Sequence, residues 1–342
     1  MSKIVRNDDY SYLDDLNYKK KRKRRIGYLF LCLLLTGIML AFSTYAWFTA
    51  NRIVSVDSLN VHVEAQGGIE ISVDGTNWKT VVTKDDIEGA GATYGSNINQ
   101  LPERLEPVST GGIVSSGLLN MYYGSATGNT NGDYILSATK SDESVGSDGK
   151  FMAFDLFFKV DNASSVYLTP ESTISFLGTK NPGVENSIRL GFLDEGTVAI
   201  GSALGTIQSL RNGTTDSLYI WEPNANAHSS TGISNALSVY GISIGSSNSP
   251  LSYSGVSSEI KTSANVLLKD ANSSKYPNYF TNVDVDYTTS SGFSSNEKVF
   301  DFKAGITKMR IYIWIEGQDV DCENGSSSGD IEFKFQLTTN PS

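Results

Sequence analysis

The sequence predicts an all-β body, an antiparallel β-sandwich or jelly roll with long Gly/Ser/Asn-rich loop insertions, preceded by one N-terminal membrane helix. Three observations carry this prediction. Apolar residues recur at every second position beyond residue 51, no helical stripe interrupts them, and an uncharged apolar run follows a basic cluster near the N-terminus. Period two places alternate side chains on opposite faces of a strand.

The N-terminal segment comes first along the chain. Residues 1–25 hold nine Lys/Arg against four Asp/Glu, and the remainder of the 342 residues holds 18 against 33. Residues 19–25 are all basic, and 26–51 carry no charge. A run of that length crosses a hydrocarbon core of about 30 Å as a helix, and flanking Lys/Arg keep their side cytoplasmic. The expected organisation is a basic cytoplasmic tail over 1–25, a transmembrane signal-anchor or signal peptide over 26–48, and an extracellular β-sandwich domain over 51–342. The expected location is the cell membrane, the cell surface, or both.

Two fates of the segment stay open. Thr44 and Ala46 set small residues where signal peptidase reads them, so a cut would leave Trp47 as the new N-terminus. The apolar run is longer than the usual ~7–15 residues of a signal peptide, which favours an uncleaved anchor. Lipoprotein processing at Cys32 is excluded by the bulky Leu31 before it.

Strands follow in order. Leu59, Val61, Val63 and Ala65 alternate with Asn60, His62 and Glu64, then Ile69, Ile71 and Val73 lead to the turn dipeptide Asp74-Gly75. Phe154, Leu156, Phe158 and Val160 form the next strong run, followed by Val166 and Leu168, Ile174 and Phe176, and Ile188 and Leu190. Residues 218–221 read as a strand stopped by Pro223. Ile311, Ile313 and Ile315 alternate with Tyr312 and Trp314. Last, Ile331, Phe333, Phe335 and Leu337 alternate with Glu332, Lys334, Gln336 and Thr338, as in an antiparallel strand with one dry and one wet face. Residues 85–150 and 225–300 are rich in Gly, Ser, Asn and Thr and read as long loops on one sandwich.

The acidic body excludes nucleic acid as a partner, because such binding rests on phosphate neutralisation by Lys and Arg. No catalytic set emerges. The chain has two histidines, His62 and His228, and no His-Glu-x-x-His. Two Gly-x-Ser-x-Gly matches, at 241–245 and 325–329, lack the strand-to-helix context and a following histidine that a nucleophile elbow needs. Cys32 and Cys322 fall in different compartments, so no disulfide is expected, and Cys322 reads as a semi-buried thiol. The chain is therefore read as a non-enzyme, with a hydrolase as the last-ranked alternative that no motif supports.

Two clusters carry more specific chemistry. Residues 221–228 gather Glu222, Asn224, Asn226 and His228 in one loop after a strand. Residues 316–324 set Glu316, Asp319, Asp321 and Glu323 in another. Closely spaced carboxylates suit Ca²⁺, which takes six to eight oxygen ligands. The match to a calcium loop is incomplete, with Glu323 as the third oxygen and the Gly displaced, so a solvated acidic turn capping the preceding strand is the favoured reading. Ca²⁺ is the sole cofactor in view, and both readings stay open.

At the junction, Ser43-Thr44-Tyr45-Ala46-Trp47-Phe48-Thr49 after the basic and apolar stretches resembles the export junction of the TasA/camelysin group of bacterial matrix proteins. The resemblance covers residues 19–75. It implies a secreted jelly-roll subunit that polymerises into biofilm fibres, the N-terminal strand of one copy completing the sheet of the next. On that reading Phe48, Ile53, Val54 and Val56 lie in the donated strand, and the partners are other copies of the chain, the membrane through 26–48, and signal peptidase. The alternative is a membrane-anchored surface binding module for a glycan, a peptide or Ca²⁺. Long loops on a rigid scaffold commonly carry such binding.

Overall fold

In the computed structural model the alternating runs become strands, and the described residues are mostly β. These are residue 28 and residues 56–341, apart from 145, 178–182, 241–242, 245–250 and 323–328. The chain divides into two units, Met1–Tyr45 and Ala46–Ser342. In the first only Tyr28 is described, helical and exposed. The expected membrane helix over 26–48 thus lies outside the described residues, among which no helix is long and apolar enough to cross a membrane.

Two six-stranded sheets form the body. The first runs β17 (Glu297–Phe302), β9 (Ser164–Leu168), β19 (Gly329–Thr338), β1 (Val56–Ala65), β3 (Val81–Thr83), with β10 (Thr173–Leu177) also on β19. The second runs β16 (Tyr287–Thr288), β12 (Leu218–Glu222), β11 (Ile188–Val198), β18 (Gly305–Ile315), β8 (Met152–Val160), β2 (Glu70–Ser72). Both feed one hydrophobic cluster. Ile331, Phe333, Phe335 and Leu337 come from the first sheet, and Phe154, Leu190, Phe192 and Ile311 from the second. The apolar alternation read from the sequence is therefore the inner face of each sheet.

Pairing is mainly antiparallel, with two exceptions. β1 runs parallel to β19, with Val63 opposite Phe335 and Ala65 opposite Leu337, and β12 runs parallel to β16. Antiparallel strands can share a tight hairpin, whereas a parallel pair needs a long connection. Almost the whole body lies between β1 and β19, so nothing forces a hairpin there. On its other side β1 pairs antiparallel with β3.

The Gly/Ser-rich stretches are not simple loops. The first holds β4 (Val114–Ser115) and β5 (Leu118–Leu119), a paired turn. It also holds β6 (Met121–Gly128) and β7 (Tyr134–Ser141), which join β14 (Val266–Leu267) of the second stretch in a three-stranded sheet. That second stretch adds β13 (Ser254–Val256) paired with β15 (Phe280–Asn282). Three short α-helices occur among the described residues: α1 (Lys84–Gly89), α2 (Leu204–Gln208) and α3 (Ser230–Tyr240). The last escapes sequence reading because two of its apolar side chains, Ile233 and Leu237, are exposed while the small Ala236 is buried.

These stretches cover the outer face of the second sheet. β18 is buried along its whole length, so Tyr312 and Trp314 do not face solvent. They pack with Val108, Leu119 and Met121 from the first stretch and Tyr253 and Val283 from the second. The two covers also touch each other. A Cβ on Gly255 would lie 1.7 Å from the Thr110 carbonyl oxygen, an approach that glycine alone permits.

Candidate functional site

β11 lies between β12 and β18, with Leu190 opposite both Trp221 and Ile313. The loops that follow β12 and β18 therefore leave the sheet at one end, on either side of Arg189. This register unites the 221–228 and 316–324 clusters, which sequence reading kept apart.

Arg189 is fully buried at the centre of the meeting. Its Nη2 lies 2.5 Å from both Glu222 Oε1 and Asp319 Oδ2. Nη1 donates to the carbonyls of Asn186 and Ile188 at 3.0 Å, and the guanidinium stands 5.6 Å over the Tyr253 ring. Its Nε and the Tyr253 hydroxyl are both buried without a hydrogen-bond partner.

The carboxylates have directed partners as well. Glu316, wholly buried, accepts from Trp314 Nε1 and the Gln318 amide, each at 3.0 Å. Asp319 Oδ1 accepts the Asp321 amide at 2.8 Å. Asp321 Oδ2 meets His228 Nδ1 at 2.8 Å, and Oδ1 accepts the Ser229 amide at 2.7 Å. Ser229 precedes α3 and its hydroxyl accepts the Gly232 amide at 2.8 Å, an N-terminal cap that satisfies one orphan donor. A Cβ on Gly232 would strike Asp321 Oδ1 at 2.3 Å, so the glycine lets the carboxylate approach the helix end.

Burial dominates the electrostatics. It pushes the Glu222 and Glu316 carboxyls up to about 7, with Arg189 pulling both back. Burial also raises Asp319, opposed by Arg189 and reinforced by Asp321. The same neighbours hold the Arg189 guanidinium firmly protonated, overcoming its own desolvation. Too few cations face these carboxylates, so Glu222 and Glu316 retain protons into the neutral range.

Of the expected metal residues, Glu316, Asp319 and Asp321 thus lie close in one turn, and Glu323 lies outside the described residues. Among the described residues no three His, Cys, Asp or Glu side chains converge as a metal-holding group. Asp319 and Asp321 turn instead toward Arg189 and His228. Cys322 is fully buried in the shared core, deeper than its expected semi-buried place. Thr44, Ala46, Trp47, Phe48, Ile53 and Val54 lie outside the described residues. Val56 begins β1, paired with Gly329.

A cavity of about 300 Å³ opens beside the cluster, lined by Tyr253, Asn272, Gln318 and Asp319. Sequence reading missed Arg189, since a charge between Ile188 and Leu190 looks like an ordinary wet-face residue. The available signal was its own face of the strand, where Gly191 and Leu193 follow it. A comparison with family models, curated proteins and solved structures finds no match for the chain.

Proposed function

We propose that this chain is an exported bacterial cell-surface structural protein, with a jelly-roll-type body, whose subunits assemble into matrix fibres by exchanging the N-terminal strand. One observation carries the reading: β1, the first strand of the body, sits between β19 and β3. A strand near the end of a unit can leave its place without threading the rest of the chain. Its departure would open a slot lined by β19 on one side and β3 on the other, into which the β1 of another copy fits in the same register. Such strand addition draws affinity from backbone hydrogen bonds and specificity from alternate side chains.

Exchange alone is nearly neutral, because the same ladder is broken and remade. The drive would come from the segment before β1. Burying Trp47, Phe48, Ile53 and Val54 contributes about 1.5–3 kcal/mol for each large side chain, against ordering of about 1–2 kcal/mol per residue. A head-to-tail contact of this kind propagates as a filament when its rotation does not close.

Electron microscopy of residues 47–342 tests assembly directly, with filaments expected. Deleting 47–58 keeps the continuous Leu59–Ala65 ladder and should leave a folded monomer without filaments. A body that stays monomeric at high concentration and in acid overturns the proposal, as does equal polymerisation of the truncated form. Export has its own test: protease added to intact cells should degrade the body and spare a tag placed before Lys19.

The second reading, an anchored surface binding module, is favoured by the 300 Å³ cavity with its unpartnered Tyr253 hydroxyl. The mature N-terminus separates the two. A chain beginning at Trp47 supports the fibre, and one retained intact in the membrane supports the module.

A further inference from the structure

At the other end of the covered face lies a second buried polar group. Lys308 on β18 is 6% exposed, and its ammonium stands 5.6 Å from the Tyr94 ring centre and 5.9 Å from that of Phe157. Ile207 and Ile306 complete this apolar surround. Nζ lies 3.1 Å from Oδ2 of Asp155, which is 1% exposed on the neighbouring strand β8. The two oxygens of Asp155 are held differently. Oδ1 accepts Arg310 Nη1 at 2.7 Å, while Oδ2 accepts the Tyr94 hydroxyl at 2.9 Å and faces the lysine. On the other flank of β18, Glu195 of β11 lines the same cavity of about 250 Å³ as Lys308 and Asp155. Burial pushes its carboxyl up to about 7.

We propose that Lys308 and Asp155 become joined by an amide bond between Nζ and Cγ, with Glu195 handling the protons. An amine, a carboxyl group and a second, proton-exchanging carboxyl stand on three adjacent strands. One proton passes from the ammonium to Oδ2 through the Tyr94 hydroxyl, 3.0 Å from Nζ and 2.9 Å from Oδ2. The freed amine attacks Cγ of the neutral carboxyl, with Glu195 exchanging protons across the cavity it shares with both. The negative charge that develops falls on Oδ1, against the Arg310 guanidinium. Both protons that Nζ gives up end on Oδ2, by way of Glu195 and the Tyr94 hydroxyl, and Oδ2 leaves as water. Nothing is oxidised or reduced, and no co-reactant is needed.

Three physical terms favour the step. Nζ is held 3.1 Å from Oδ2, one bond from the carbon it attacks, and groups held in such contact react as an intramolecular pair, with effective molarities far above solution values. A buried ion pair carries a desolvation cost that the neutral amide lacks. Water, the leaving product, exits through the cavity. Against them, Arg310 and Lys308 hold the Asp155 carboxyl below its ordinary range, so the reaction runs only after the lysine proton has moved. The consequence suits a body in which Cys322 is the one cysteine beyond residue 46. β8 and β18 would be tied covalently without a disulfide.

An ordinary buried ion pair has the same distances, and mass separates the two. The full-length chain, folded in the expressing cell, is denatured and digested with trypsin. The expected product is a branched peptide joining 151–159 to 304–310, lighter than their sum by one water. Lys308→Arg should abolish it. Asp155→Asn should restore a link with loss of ammonia in place of water. Glu195→Gln should slow linkage by about 10²-fold or more, the loss typical of removing an acid–base group, with circular dichroism confirming the fold. Quantitative recovery of unlinked 151–159 and 304–308 from the folded wild-type chain overturns the proposal. Full linkage in Glu195→Gln overturns the role given to Glu195.

Discussion

Raising the pH from 5 to 8 should destabilise the body. Glu222 and Glu316 ordinarily release their protons near 4.5, and burial moves both to about 7 in the folded state. Between these values the folded chain binds more protons than the unfolded chain. Stability from these groups is therefore complete below pH 4.5 and is lost as pH rises through 7. A shift of this size corresponds to at most about 3 kcal/mol for a single group. About 3 kcal/mol is taken as the expected total, half the sum of the two upper bounds. For a body of this length, 1 kcal/mol moves Tm by about 2 °C, so Tm should fall by roughly 6 °C. Asp74, Asp86 and Asp155 work in the opposite direction. Each is held below its ordinary range, so its contribution disappears only in stronger acid. The assay is thermal and urea unfolding of residues 51–342 at pH 5, 6, 7 and 8. Added salt of ~0.5 M should suppress the general repulsion of an acidic surface while leaving buried groups largely unscreened. Glu316→Gln should flatten the profile without reversing it. A Tm that rises from pH 5 to 8 in high salt would refute the reasoning, as would an unchanged slope in Glu316→Gln.

The remaining predictions concern single contacts. Arg189→Met removes the cation shared by Glu222 and Asp319 and should cost about 3–5 kcal/mol. Unfolding in urea measures it, and the loss should shrink in acid as the orphaned carboxyls take up protons. Gly255→Ala drives a methyl group into the Thr110 carbonyl and should cost about 1–3 kcal/mol, the usual range for overpacking. Faster amide exchange in the covers than in β19 would locate the damage. Millimolar Ca²⁺ should leave Tm unchanged, because Asp319 and Asp321 already serve Arg189 and His228. A concentration-dependent rise, abolished by Asp321→Asn, would show that the turn binds the ion.

Legibility in the sequence followed the inner faces of the sheets. Phe154, Leu156 and Phe158 alternate without interruption, as do Phe333, Phe335 and Leu337, and each set is buried as its period requires. The covers were harder to read because their strands bury little. In β6 only Met121 and Tyr122 are buried, and the rest of the strand is held by its ladder with β7. Ladder hydrogen bonds leave no trace in residue type, so Ser125 and Thr127 look like loop. The cover over the outer face of β18 was illegible for a related reason. What covers a sheet lies far away in sequence, and alternation reports only that two faces differ. The two loop clusters were each visible as unusual chemistry. Their meeting was not, because it depends on a register shared by three strands.

The covered face of β18 also has a reason to carry charge. If Lys308, Arg310 and Glu316 were apolar, the covers could slide across a uniform greasy strip, since hydrophobic contact has no direction. The polar groups fix positions instead. Tyr312 donates its hydroxyl to Glu143 Oε1 at 2.7 Å and accepts the Leu119 amide at 3.0 Å, so one side chain of β18 pins two points of the first cover. The Ser109 hydroxyl then accepts the Val256 amide at 3.1 Å and pins the second cover to the first. Removing one partner of such a contact leaves the other buried and unsatisfied, which costs more than the contact itself contributes. Alternative placements of the covers are thereby penalised even where they bury equal area. All these pins lie on the second sheet and its covers, whereas β1 lies in the first. Under strand exchange a subunit could therefore open the slot between β19 and β3 while the polar clusters keep the rest of the body in register.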